Sequence, residues 1–169
     1  MNVKRDSSMH VIDDFKAYYR DFSQCDIEGI SDIYCSGIHF SDPIHEVHGI
    51  QDLKTYFSSM CGDLKECRFE FLGETIDDSS AWFKWNMHYR HPKLKNGELL
   101  VLNGATYIKF EPVEKESLCE SKADVSDIGK TYKITSHEDF YDMGAMLYEH
   151  TPVLGSCVRW LRNKLSKAA

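Results

Sequence analysis

The hydrophobic period of this chain changes near residue 64, and that change limits its fold more than any other feature. Before it, apolar residues recur at helical spacing. In "MHVIDDFKAYYRDFSQCD" they stand at Val11, Ile12, Phe15, Tyr18, Tyr19 and Phe22, the stripe of an amphipathic helix. A short second helix is predicted in "IEGISDIYC", with Asp26 placed to accept the free amides of its first turn. "GIHFSD" alternates as a strand, putting Ile38, Phe40 and Asp42 on one face and His39 and Ser41 on the other. "GIQDLKTYFSSMCG" returns to helical spacing through Ile50, Leu53, Phe57 and Met60, with Gly62 as a C-cap.

Beyond that point the period is two. "ECRFEFLGETI", "SSAWFKWNMHYRH" and "GELLVLNGATYIKFEP" read as three long strands joined by turns at "DDSS" and "LKNGE", and "KTYKITSHEDFYD" makes a fourth. Helices followed by hairpin-linked strands predict an α+β fold, with helices packed on one face of a curved antiparallel sheet. The polar segment 113–129, "VEKESLCESKADVSDIG", has no apolar period and is expected to be a mobile loop. We divide the chain into a main domain, 1–142, and a helical extension, 143–169, packed on it. The extension ends in a basic amphipathic helix with Val158, Trp160, Leu161 and Leu165 among arginines and lysines. Such a tail can lie on anionic lipid, but one this short more commonly closes a cavity or covers a partner subunit.

Composition narrows the function classes. A net charge of −7 argues against nucleic acid, which needs a clustered basic face. No segment approaches the ~20 apolar residues of a membrane span, and "MNVKRDSSMH" has no apolar leader core. A cytoplasmic location is therefore expected, and the six scattered cysteines, none in a CxxC pair, are expected to be reduced. There is no glycine-rich phosphate loop and no GxSxG elbow, so no cofactor is expected. His39, His45, Glu46 and His48 lie near one another in sequence, but "HEVH" is not HExxH and no helix sets two imidazoles one turn apart. No metal is expected.

Two motifs carry a family resemblance. "YYRDFSQCDIEGISDIYCSGIHFSDPIHEVHG" is similar to the opening of ketosteroid isomerases, and "ITSHEDFYD" resembles the end of many SnoaL-like proteins and limonene epoxide hydrolases. Together with the element order over residues 9–142, they mark the chain as resembling the SnoaL-like branch of the nuclear transport factor 2-like superfamily. That resemblance implies a cone-shaped, cystatin-like α+β fold that often dimerises through its sheet. The isomerase's tyrosine donor matches Tyr18. Its aspartate base, placed before proline, matches Asp42, with the same spacing between the two. The position of its second oxyanion donor, a protonated carboxylic acid, is filled by Thr106, a much weaker acid. The epoxide hydrolases' final-strand carboxylate matches Asp139, but their arginine and second aspartate fall at Trp85 and Met87. The polyketide cyclases' histidine and aspartate match His137 and Asp139.

Alternation puts Phe83, Trp85, Met87 and Tyr89 on one face of a strand. They either line a cavity, with Thr106 nearby, for a small hydrophobic molecule or simply fill the core. His137 and Asp139 share a face and are either an acid–base pair or a structural one. Asp42 is either a base or the carboxylate that starts a turn before Pro43. Three functions remain open: acid–base isomerisation or cyclisation of a carbonyl or polyketide-like compound, non-catalytic binding of a lipid or metabolite, and association through the outer sheet face. That face carries Trp82, Lys84, Asn86, His88 and Arg90, and a homodimer is expected.

Overall fold

The computed structural model describes residues 3–24, 26–113 and 131–146, together with Ser156, Trp160 and Asn163. Helix α1 (Val3–Arg20) runs into a short 3-10 turn (Phe22–Gln24), and a single turn, α2 (Ile30–Ile33), follows. Strands β1 (Tyr34–Ser41) and β2 (Glu46–His48) precede helix α3 (Ile50–Asp63). Then come β3 (Glu66–Ile76), β4 (Ser80–Arg90), β5 (Leu100–Val113), β6 (Thr131–Tyr141) and the short α4 (Met143–Met146).

The six strands form one sheet in the order β2-β1-β6-β5-β4-β3. This is the expected α+β architecture, with two differences. The sheet is mixed, because β1 runs parallel to β6 while every other pair is antiparallel. β2, too short to show an alternation, pairs His39 with His48 and Ser41 with Glu46. Register shifts in β3 at Phe71/Gly73 and between β5 and β6 at Lys109/Phe110 bend the sheet, as an unpaired extra residue does.

The helices cover the concave face. Val11, Ile12, Phe15 and Tyr19 are buried on α1, Phe22 in the 3-10 turn beyond it, and Leu53 and Phe57 on α3. β4 buries Ala81, Phe83, Trp85, Met87 and Tyr89 and exposes Trp82 and Lys84, the period-two pattern read from the sequence. Trp85 lies directly over its cross-strand partner Gly104, where a Cβ would have no room.

Several local expectations need correction. The second helix is only four residues long, and Tyr34 and Cys35 already belong to β1. Asp26 accepts the Gly29 amide at 2.9 Å, in the turn ahead of α2 rather than within its first turn. Gly62 lies inside α3, which ends at Asp63 and is capped by extended Leu64. Cys61 is disulfide-bonded, whereas Cys35 and Cys67 are free thiols. Sequence spacing could not show which sulfurs the fold brings together. Asp142 accepts the Gly144 amide at 2.7 Å at the start of α4. The predicted loop after Val113 and most of the C-terminal helix lie outside the described residues. Among the described residues, no helix is long and apolar enough to cross a membrane.

Candidate functional site

A cavity of about 200 Å³ lies between the concave face and the helices. Phe22 walls it from the 3-10 turn, Phe57 and Met60 from α3, and Phe69 from β3. β4 contributes Trp85, Met87 and Tyr89. The cavity's polar lining includes Asp42 from the turn after β1, Asp139 and Tyr141 from β6, and His91 just beyond β4. A shallower depression shares Asp42, Asp139 and Tyr141, so the two carboxylates stand between the enclosed space and the surface.

Asp139 is the end point of a buried hydrogen-bond chain. The Thr106 hydroxyl donates to its Oδ1. Thr106 in turn accepts from Trp85 Nε1 at 2.8 Å. His137 Nε2 lies 3.0 Å from the same Oδ1, and its Nδ1 lies 2.8 Å from the Tyr34 hydroxyl. Tyr34 is 2.8 Å from the Tyr19 hydroxyl. Since a carboxylate can only accept, Nε2 of a neutral His137 carries the proton and Nδ1 accepts from Tyr34. Every donor in the chain then points toward Asp139. Burial, with the Asp139 charge as a lesser cause, holds the Tyr19 and Tyr34 phenols well above their ordinary pKa, so both remain donors.

Asp42 is held differently. Its Oδ1 accepts the amides of Ile44 and His45, each at 2.7 Å, which is the turn a carboxylate before proline is suited to make. Its Oδ2 accepts the Tyr56 hydroxyl at 2.5 Å. Burial first, then Asp42, raises the pKa of Tyr56. Tyr141 is shifted the same way, by burial, then by the charges of Asp42 and Asp139 and by a hydrogen bond to Asp42.

The sequence-predicted residues are thus divided. Asp42, Asp139, Trp85, Met87 and Tyr89 line the cavity. His137 stands behind Asp139, and Thr106 beside it. Phe83 packs against Phe15 and Phe71, with ring centroids 5.1 and 5.7 Å away, as part of the core. Tyr18 does not line the cavity. One residue along a helix turns the side chain by about 100°, and Tyr19 takes the cavity wall instead. The Tyr18 hydroxyl is buried with no hydrogen-bond partner among the described residues.

Tyr19, Tyr34, Tyr56 and Tyr141 were missed as polar residues of the site. For Tyr141 the signal was present, because it continues the His137–Asp139 alternation by two residues. Tyr34 comes to the site through the parallel β1–β6 pairing, which a sequence pattern does not show.

Residues 15–112 match the sequence profile of the SnoaL-like domain, more than half of the chain. The chain belongs to the SnoaL-like family. Solved structures similar to this SnoaL-like chain share its fold at low identity. A putative SnoaL-like polyketide cyclase from Shewanella denitrificans is 15% identical, with a TM-score of 0.59, over 86% of this chain and 95% of that one. A nuclear transport factor 2-like protein of unknown function from Burkholderia pseudomallei is 13% identical, with a TM-score of 0.62, over 83% and 95%. A protein with a ketosteroid isomerase-like fold from Catenulispora acidiphila, in complex with trimethylamine, is 9% identical, with a TM-score of 0.60, over 81% and 88%. No curated protein matches the SnoaL-like chain in sequence.

Proposed function

We propose that this SnoaL-like protein is an acid–base enzyme, without a cofactor, acting on a small, mostly apolar carbonyl compound, with Asp139 as its base. One observation carries the reading. Oδ1 of Asp139 takes both Thr106 and His137, while Oδ2 has no partner among the described residues and the side chain lines an apolar cavity. A base needs such an oxygen, fixed in direction and free to take a proton. Asp42 is the less suitable candidate, since both of its oxygens are occupied by donors.

The chemistry follows from the polar groups that line the cavity. Oδ2 of Asp139 removes a proton from the carbon next to the substrate carbonyl. Tyr141, kept protonated by its burial, donates to the oxygen that becomes an enolate. The enolate then either recovers the proton from Asp139 at another carbon, which is isomerisation, or attacks a second carbonyl of the same molecule and closes a ring, the resulting alkoxide taking the proton back from Asp139. A cyclisation of this kind is consistent with the polyketide-cyclase name of the Shewanella relative. The size of the cavity supports a substrate of one or two rings, because about 150 Å³ already holds benzene.

Native mass spectrometry of the freshly purified protein, with extraction of anything it carries, tests the reading. A bound apolar carbonyl compound that Asp139→Asn binds but does not convert supports it. A bound lipid that is never converted replaces it with a non-catalytic carrier.

A second reading, compatible with the first, is a homodimer formed through the outer face. Trp82 and Phe140 are 45% and 42% exposed. They stack in a row with Tyr107, their ring centroids 4.7 and 5.5 Å from that of Trp82. Such a row gains little from water and is suited to a partner surface.

A further inference from the structure

The β1–β2 ribbon brings three metal-ligating side chains to one point, away from the cavity. His39 and His48 are directly opposed across the strand pair, so their side chains leave the same face. Glu46 is two residues before His48 on the same strand and shares that face as well. Nε2 of His39 lies 2.9 Å from Oε1 of Glu46, and Nε2 of His48 lies 3.5 Å from it. The three ligand atoms all fall within 4.8 Å of one another. The two imidazole rings are parallel, with centroids 4.6 Å apart.

We propose that His39, Glu46 and His48 form a binding site for a late first-row divalent cation such as zinc. Two imidazole nitrogens and one carboxylate oxygen are the ligand types these ions prefer. Ligands at 2.0–2.1 Å in a tetrahedron stand about 3.3 Å apart. The distances to Glu46 already bracket that value, and small rotations of the exposed rings bring the two nitrogens together. The side chains are 43%, 64% and 71% exposed for His39, Glu46 and His48, so water completes the coordination and the ion has an open approach.

The site has a structural consequence. β2 is a three-residue edge strand, and the turn joining it to β1 holds Asp42 through the amides of Ile44 and His45. An ion shared by both strands fastens that hairpin and with it the polar rim of the cavity. Because it binds the folded ribbon and not the separated strands, it raises the stability of the whole domain.

The pair His88–Glu70, 3.2 Å apart on the outer face, supplies an internal control, since it offers two ligands where the hairpin offers three. Zinc titration by calorimetry, with cobalt(II) as a spectroscopic substitute, tests the proposal on wild type, His39→Ala, His48→Ala, Glu46→Gln and His88→Ala. Support is a saturable site, with one equivalent per chain, that weakens at least about tenfold in each of the three hairpin variants. It is unchanged in His88→Ala, and its cobalt spectrum lacks thiolate charge transfer. Zinc should also raise Tm in wild type and not in His48→Ala. If the hairpin variants bind zinc as wild type does, or if cobalt reports thiolate ligation at the zinc site, the assignment is overturned. No saturable binding to wild type overturns it as well.

Discussion

The hydroxyl of Tyr34 meets Nδ1 of His137 at 2.8 Å, joining residues 103 apart in sequence. The Asp139 carboxylate, which can only accept, fixes the histidine's tautomer, and the Tyr34 hydroxyl serves the other ring nitrogen. With Nδ1 accepting, the proton sits on Nε2 and is aimed at Asp139. Tyr34 is itself supported by Tyr19, so a helix and two strands cooperate to orient one carboxylate. All three of the supporting side chains are at most 4% exposed, and in so dry a setting an unmade hydrogen bond is costly.

Tyr34→Phe is therefore expected to be expensive for a change of one atom. It removes the acceptor of Tyr19 and the donor to His137, both buried. A loss of about 1–3 kcal/mol is expected, read from the urea midpoint. Tyr19→Phe removes only the outer link and should cost less. Equal and negligible losses in both variants would mean that the chain does not order the site.

The fold was legible in the sequence to a greater extent than the site. The alternation of β4 is unbroken from Ala81 to Tyr89, and each inward residue read from it is buried. The inward direction of Asp42, one residue past the end of β1, was equally plain. Tyr18 and Tyr19, by contrast, both fit a helical stripe, and only the packing against Phe69 and Phe57 decides that Tyr19 is the one at the cavity wall. The His39–Glu46–His48 cluster was invisible to a search for helical ligand spacing because its ligands come from opposite strands.

Gly104→Ala tests the closest contact behind the cavity. Trp85 lies over Gly104, and the new methyl would meet the outer carbons of its benzo ring, Cη2, Cζ2 and Cζ3. The ring must shift, and its Nε1 bond to Thr106 is strained or lost. A destabilisation of about 1–3 kcal/mol is expected, as for other overpacked sites, together with a change in tryptophan fluorescence. A substitution that leaves both unchanged would show that the ring is not seated there.

Alkali should weaken the fold through its buried phenols and one buried thiol. Burial raises the phenols of Tyr19 and Tyr34 well above 10.0 and moves Tyr89 to about 12. It moves the Cys67 thiol from 9.0 to about 12. The folded state thus keeps protons that the unfolded chain releases. Stability is complete below about pH 9; the Cys67 contribution is lost from there upward, and above pH 10 each fully buried phenol costs about 1.4 kcal/mol per pH unit. Urea midpoints measured on either side of pH 10 check this. Constant stability across that range would contradict the burial of the phenols.

Trp82→Glu is directed at the exposed aromatic row. A charge in the middle of Tyr107, Trp82 and Phe140 adds a desolvation cost to any partner surface. If the outer face forms a homodimer, sedimentation should show the variant shifted to monomer at concentrations where wild type is dimeric. The fold should be retained, because Trp82 is 45% exposed. A wild type that is monomeric at high concentration removes the association reading.

The two carboxylates of the cavity can be separated by one pair of variants. In Asp139→Asn the amide oxygen can still accept from Thr106 and His137, while the nitrogen that replaces Oδ2 has no basicity. The fold and ligand affinity should persist, and turnover of a candidate carbonyl substrate should fall by about 10²–10⁴-fold, as expected when a positioned base is lost. In Asp42→Asn the amide oxygen can still receive the Ile44 and His45 amides, and the nitrogen can donate to the Tyr56 oxygen. Its effect on turnover should stay within about tenfold, because Asp42 is already filled by donors. The reverse result, with Asp42→Asn inactive and Asp139→Asn active, would transfer the base to Asp42. The His137 chain would then be a structural support of the sheet, which is the assignment its burial alone would favour.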